Sequence, residues 1–337
     1  KKIIHIWKPN INKIISQSKI PKHVVNLKRD SNLRRYQIVH PLLLKNGDLI
    51  IHGLATPLTK IDMCSKEVWS LDYVFHHSTE QGNNSYWIPI IFFPSSVHHG
   101  LDETFGVKTK KFHDDGIMQV SNNGEVLFKK SIIQMFIDNN LAGLIYGGRE
   151  PTYDPIHLND IQPVLSDGKY FKKGDVFLSL RNLSMIVLYR PDANKIIWHK
   201  QFPWIQQHDV DILNDHQISI YNNKRLIHSF EKSDKKNNEV LIYDFINQEV
   251  SSSYETLFKD YDIRETFEGL VDIGKDGSIF IEQSVSGRAM QFDKKGNLIW
   301  EYINRAKNNN LYRLNWSRII GNIDDEFLAE LKKLNCD

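Results

Sequence analysis

Four residues able to bind or attack an oxyanion, His157, Arg181, His208 and Arg225, fall within the single stretch from Tyr153 to Arg225. Neither histidine lies in a long apolar run: His157 falls within Asp-Pro-Ile-His-Leu-Asn-Asp and His208 within Gln-Gln-His-Asp, which places each where a strand begins or ends, at the rim of a scaffold. Imidazole transfers protons near neutral pH and can act as a nucleophile, and guanidinium binds tetrahedral oxyanions through two parallel hydrogen bonds. A site made of both suits sulfate or phosphate esters. Distant segments add His76 and His77 in Phe75-His-His-Ser-Thr-Glu80, Asn159 beside His157, and Glu282 with Arg288. Taken singly, any of these histidines serves equally well to tie neighbouring strands together. The case for chemistry rests on the set.

Competing uses of these residues find little support. The HExxH pattern is absent and His76 and His77 are adjacent, so on a strand they would point to opposite faces, and no metal is expected. Gly147-Gly148 leads into Arg-Glu-Pro rather than Lys-Ser or Lys-Thr, which excludes a nucleotide phosphate loop. The two cysteines, Cys64 and Cys336, lie far apart in sequence, and neither a disulfide framework nor a CxxC motif is expected of them. With 43 Lys and Arg against 41 Asp and Glu, the net charge of +2 argues against nucleic acid as a partner. The most apolar patch, Trp87 to Pro94, is too short to span a bilayer, so the chain reads as soluble. A start at Lys1 suggests a processed product from which a signal peptide or membrane anchor was removed.

The elements that must position these side chains are strands. An aromatic fraction of 11% with seven Trp favours sheet, and the sequence repeats itself. Residues 47–69 (GDLIIHGLATPLTKIDMCSKEVW), 174–198 (GDVFLSLRNLSMIVLYRPDANKIIW) and 276–300 (DGSIFIEQSVSGRAMQFDKKGNLIW) each run from a Gly/Asp turn through two strands to a last strand closing on Trp. Weaker copies lie at Asp115 to Phe128 and His208 to Val250, making about six units with the terminal strands. Repeated four-stranded meanders predict an all-β, six-bladed β-propeller, with Trp69, Trp198 and Trp300 equivalent in different blades. A β-sandwich of similar hairpins is the alternative. Residues 1–35 read as a lead-in segment with a helix over Ile11 to Ile20, residues 36–322 as the propeller, and 323–337 as a C-terminal helix. Helical insertions at Ser131 to Ala142 and Ser253 to Phe258 are expected at the periphery, and the charged stretches Lys108 to Asp115 and Glu231 to Asn238 as solvated loops.

The sequence resembles the bacterial arylsulfate sulfotransferase family and its wider set of arylsulfotransferase-like six-bladed propellers. The resemblance is carried by His-Leu-Asn at 157–159, Leu-Ser-Leu-Arg ending at Arg181, Lys-Ile-Ile-Trp at 195–198, Gln-His-Asp at 207–209 and Ile-Tyr-Asn-Asn followed by Arg225. It implies cofactor-independent transfer of a sulfuryl group from a phenolic sulfate to a phenol, through a sulfated histidine, in the periplasm or another extracytoplasmic compartment. On this resemblance His157, His208 and Arg225 match positions that hold the sulfate group. The family's nucleophilic histidine lies in a later blade, where this chain has Ser286-Gly-Arg288 and no histidine after His228. His76 or His77 is then the leading substitute, with Arg181, Arg225, Arg288, Asn159 and Glu282 on the substrate. The alternatives are a non-catalytic propeller that binds an anion or glycan, a protein-interaction scaffold, and a quinone-dependent dehydrogenase suggested by Asp-Ala-Asn-Lys-Ile-Ile-Trp at 192–198.

Overall fold

The computed structural model describes residues 3–21, 35–96, 112–147, 152–224, 237–321 and 323–336. Arg225 lies outside them, as does most of Glu231 to Asn238. The chain forms two compact units, residues 1–131 with 318–337, and residues 132–317. The regular secondary structure of the described residues is mostly strand, and none of their helices is long and apolar enough to cross a membrane.

In the first unit, β1 (Leu42–Leu43), β2 (Leu49–Ile51), β3 (Thr56–Ile61) and β4 (Glu67–Phe75) form an antiparallel meander. It is followed by β5 (Glu80–Gln81), β6 (Ser85–Phe92), β7 (Asp114–Ser121) and β8 (Val126–Ser131). Two separate meanders are expected here, but β4 runs on far enough for Val74 and Phe75 to pair with Ile91 and Ile90 of β6. The result is one eight-stranded sheet. The second unit holds three four-stranded meanders. They are β9 (Leu158–Pro163), β10 (Val176–Leu180), β11 (Met185–Arg190) and β12 (Lys195–Gln201); then β13 (Val210–Ile212), β14 (Gln217–Asn222), β15 (Glu239–Asp244) and β16 (Val250–Ser252); then β17 (Leu270–Ile273), β18 (Ile279–Gln283), β19 (Arg288–Phe292) and β20 (Leu298–Ile303).

The Trp-closed strands share one device. Trp69 faces Lys60, Trp198 faces Leu188 and Trp300 faces Gln291, and in each sheet the register slips by a bulge next to that pair. Phe128, opposite Gln119, sits beside the same bulge in β8. A bulge kinks the last strand of the meander and turns its ring along the sheet. Trp69 thereby donates to the Asn122 carbonyl at 3.1 Å, and Trp198 packs on Tyr243 and Phe245 of the following meander. Trp300 donates to Gln291 at 2.6 Å and packs on Phe280, in a cluster that includes Trp316.

Three expectations need correction. Cys64 and Cys336 form a disulfide across a sequence separation of 272. Distance in sequence is not distance in space: the helix Asp325–Lys333 brings the chain end back to the Asp62-to-Lys66 turn. The helix Ile132–Asp138 is no peripheral decoration, since Ile132, Ile133, Met135 and Phe136 are fully buried. Asp114 and Asp115 belong to a buried strand rather than a solvated loop, with Asp114 accepting hydrogen bonds from Ser95, Ser96 and Ser131. Asn238 is likewise buried.

Candidate functional site

His157 ends the approach to β9 and Arg181 follows β10, so the antiparallel pairing of those strands sets the two side by side. The Arg181 amide donates to the His157 carbonyl at 3.1 Å, and the Asn182 amide to that of Ile156 at 3.0 Å. His157 occupies the left-handed region at φ 53°, a conformation costly for a residue with a Cβ and most often retained where function requires it. The Asn182 side chain donates to the Asp154 carbonyl at 2.7 Å and fixes the loop before His157. That loop aims the Asp154 carboxylate at His157, Oδ2 to Nδ1 2.5 Å. Ionised Asp154 is an acceptor, so the imidazole proton sits on Nδ1. The His157 ring is 28% exposed.

Arg181 donates to Asn182 Oδ1 at 3.3 Å and Gln206 Oε1 at 3.4 Å, and lies 5.8 Å from the centre of the Phe267 ring. Its charge reaches His208. Burial first, and then the Arg181 guanidinium, push the His208 pKa down to about 3, with His157 a smaller contributor and the Asn223 hydrogen bond opposing. Neutral His208 has one tautomer consistent with its partners. Its Nε2 accepts the Glu268 amide at 3.0 Å, so Nδ1 carries the proton and donates to Asn223 Oδ1 at 2.7 Å. Asn223 is held in that sense because its own amide nitrogen donates to the Glu268 carbonyl at 2.9 Å. Both ring nitrogens of His208 are therefore engaged, and the ring positions the segment that carries Phe267.

The residues beside these histidines stitch one meander to the next. Asn159 donates to the Gln207 carbonyl at 2.9 Å, Asp160 accepts the Val210 amide at 3.1 Å, and Asp209 accepts the Val271 amide at 2.9 Å. Asn159 is fully buried, and this use of its amide nitrogen departs from the sulfate contact expected of it. Two other expected ligands are also committed to the fold. Arg288 donates to Glu301 at 2.6 Å, to the Tyr261 carbonyl at 2.8 Å and to Gln283 at 3.2 Å. Glu282, fully buried, accepts from Ser284 at 2.6 Å, the Trp316 amide at 2.8 Å and the Ser317 amide at 2.7 Å. Their place in the fold is that of a cross-strand ion pair and a clasp on the segment after β20.

His76 and His77 belong to the first unit. They follow β4 rather than lying on it, and with His77 at φ 56° their rings do not point apart as expected. The two Nδ1 atoms are 2.7 Å apart, and Nε2 of buried His76 is 3.6 Å from Asp115.

The profile of the arylsulfotransferase (ASST) family matches residues 40–305. The chain belongs to the arylsulfotransferase (ASST) family. No curated protein matches the sequence significantly. Among solved structures, a protein of unknown function from Bacteroides caccae is similar at TM-score 0.50 and 12% identity, over 79% of this chain and 81% of that one. The WD40 β-propeller domain of Doa1 is similar at TM-score 0.47 and 10% identity, over 82% of this chain and 74% of that one. The likeness to the Bacteroides caccae protein, at 12% identity, speaks to fold alone. The four-stranded antiparallel meanders carry the assignment to the β-propeller class.

Within this arylsulfotransferase (ASST) chain, sequence reasoning missed Asp154, Gln206, Asn223 and Phe267. Asp154 left a signal: an acidic residue three before His157, with Pro155 between them to turn the loop. Gln206 sits beside the Gln-His-Asp run, but nothing in its neighbours marks it as a partner of Arg181 25 residues earlier. Asn223 and Phe267 meet the site only through tertiary packing.

Proposed function

We propose that this protein transfers a sulfuryl group from an aryl sulfate ester to a phenolic acceptor, without cofactor or metal, through histidine chemistry in the second unit. The reading is carried by one observation: in a member of the arylsulfotransferase family, a carboxylate-oriented histidine, His157, stands beside an arginine, Arg181, at paired strand ends. The guanidinium of Arg181 binds two sulfate oxygens and stabilises the charge that develops on them as the ester bond breaks. Phe267, 43% exposed beneath Arg181, gives an aromatic group a surface to pack on. The disulfide between Cys64 and Cys336 supports residence in an oxidising, extracytoplasmic compartment.

A second reading, an anion-binding propeller without catalysis, is favoured by the lack of any histidine after His228, where the family resemblance places the nucleophile. One experiment separates the two. A chromogenic aryl sulfate is incubated with the protein, with and without added phenol. Release of the chromophore that accelerates with phenol, together with formation of phenyl sulfate, supports transfer; binding of the donor without release in either case supports the second reading.

A further inference from the structure

We propose that residues 3–8 are a membrane contact: the outward side chains Ile3, Ile4, Ile6 and Lys8 bind a bilayer surface that carries anionic headgroups. Such a contact fixes where the protein sits, and it is independent of the sulfuryl-transfer reading.

Side chains from Ile4 to Lys8 alternate between docked and exposed, as along an extended chain. His5 and Trp7 face the fold: His5 Nε2 is 2.8 Å from the Met63 carbonyl, and Trp7 packs on the cluster of Ile14, Ile51 and Ile61. The Lys8 amide donates to Ser65 Oγ at 2.7 Å and holds the end of the segment in place. The opposite row faces out, with Ile3 75%, Ile4 39% and Ile6 56% exposed and Lys8 exposed after them. A segment that served only to cover the fold would bury its aliphatic side chains and expose its imidazole. This one does the reverse, and an exposed aliphatic row fixed by anchors on its other side marks a contact surface.

Charge identifies the partner. Residues 1–21 hold five Lys and no Asp or Glu, and residues 1–35 hold ten Lys and Arg against Asp30 alone. The other 302 residues carry 33 Lys and Arg against 40 Asp and Glu, so a strongly basic lead-in is joined to an acidic body. Lys13 pairs with Glu67 at 3.3 Å and contributes less. Cations draw a segment to anionic headgroups, and aliphatic side chains then bury at the acyl boundary; the two signals together give a reversible hold that neither gives alone. The Lys8 stem lies along that boundary while its ammonium stays among the headgroups. Nucleic acid would use the lysines and leave Ile3, Ile4 and Ile6 in water, and a second copy of the chain would bring two basic lead-ins together at a cost.

The test is co-sedimentation of the whole protein with vesicles of equal parts phosphatidylglycerol and phosphatidylcholine, and with vesicles of phosphatidylcholine alone. The wild type should pellet with the anionic vesicles only, and added salt should release it. The joint substitution Ile3→Ser, Ile4→Ser and Ile6→Ser should lower the partition by about ten-fold or more, and Lys8→Glu by about ten-fold. Both variants change exposed side chains and should unfold at the wild-type temperature. Ile299→Ser, which removes an aliphatic group 56% exposed elsewhere on the surface, should bind as the wild type does. No pelleting of the wild type, equal pelleting with phosphatidylcholine alone, or undiminished pelleting of the triple variant overturns the proposal. So does finding, in place of vesicle binding, capture of duplex DNA or a dimer that the triple substitution dissolves.

Discussion

Two regions of this protein are built from the same residue types and use them differently. In the first unit, Arg318 donates to the carbonyls of Pro41 and Thr79 and to the Glu80 carboxylate. Around it, His52 is bonded to the Gly53 carbonyl at 2.9 Å and Thr79 Oγ1 at 3.0 Å, and buried His40 accepts the Thr79 amide at 3.3 Å. Every group there completes the hydrogen bonding of a buried segment. In the second unit, Arg181 is oriented by amide oxygens and a ring face, and the half-buried His157 by a carboxylate. His208, within the same site, follows the first pattern. Composition therefore does not separate a site from a polar core; the partners of each nitrogen do.

The largest effect that would sharpen this contrast is kinetic. Arg181→Met should lower kcat/KM for an aryl sulfate by about 10² to 10³, the usual loss for one anion-stabilising donor. Arg288→Met should leave turnover within a few-fold and instead cost about 1 to 3 kcal/mol of stability, because it removes the Arg288 hydrogen bonds to Glu301 and the Tyr261 carbonyl. Equal kinetic losses in the two variants would erase the distinction. Next in size is the covalent clasp of the first unit: Cys336→Ser should cost about 2 to 4 kcal/mol in denaturant unfolding, with amide protection falling in residues 1–131. Loss of protection confined to the second unit would contradict the placement of that clasp.

The smallest effect comes from pH and treats both regions alike. Burial lowers the pKa of His52 to about 4 and, with the Arg181 charge, that of His208 to about 3, each from an ordinary 6.5. Both folded values are depressed, so the stability tied to the neutral rings is present above pH 6.5. It drains as pH falls, until the folded pKa is passed. Between pH 6.5 and pH 5 each ring should cost about 2 kcal/mol. Denaturation curves across that range check it, and His208→Asn should flatten the decline. An undiminished slope in that variant would mean His208 is not the locked neutral ring described.

The strand architecture was legible because its signals are local. Gly/Asp turns, alternating strands and a closing Trp lie within about 25 residues of one another, and the shared bulge beside Trp69, Trp198 and Trp300 follows from that spacing. The site was legible only in part. His157 and Arg181 stand out at strand ends, but Arg288 looks equally eligible until the register of β19 and β20 brings Glu301 within reach of it. Glu282 and Asn159 read as polar residues near a rim, whereas their partners, at 316–317 and 207, are fixed by how successive meanders pack. The adjacency of His76 and His77 suggested opposite faces because strand geometry was assumed, and the left-handed turn at His77 breaks that alternation.

The central claim is that a sulfuryl group passes through the protein on its way from donor to acceptor. Initial rates measured over a grid of aryl sulfate and phenol concentrations test it most directly, since a covalent relay releases the first product before the acceptor enters. The account predicts parallel double-reciprocal lines. Intersecting lines, which require donor and acceptor to be bound together, or no turnover with any aryl sulfate offered, would contradict it.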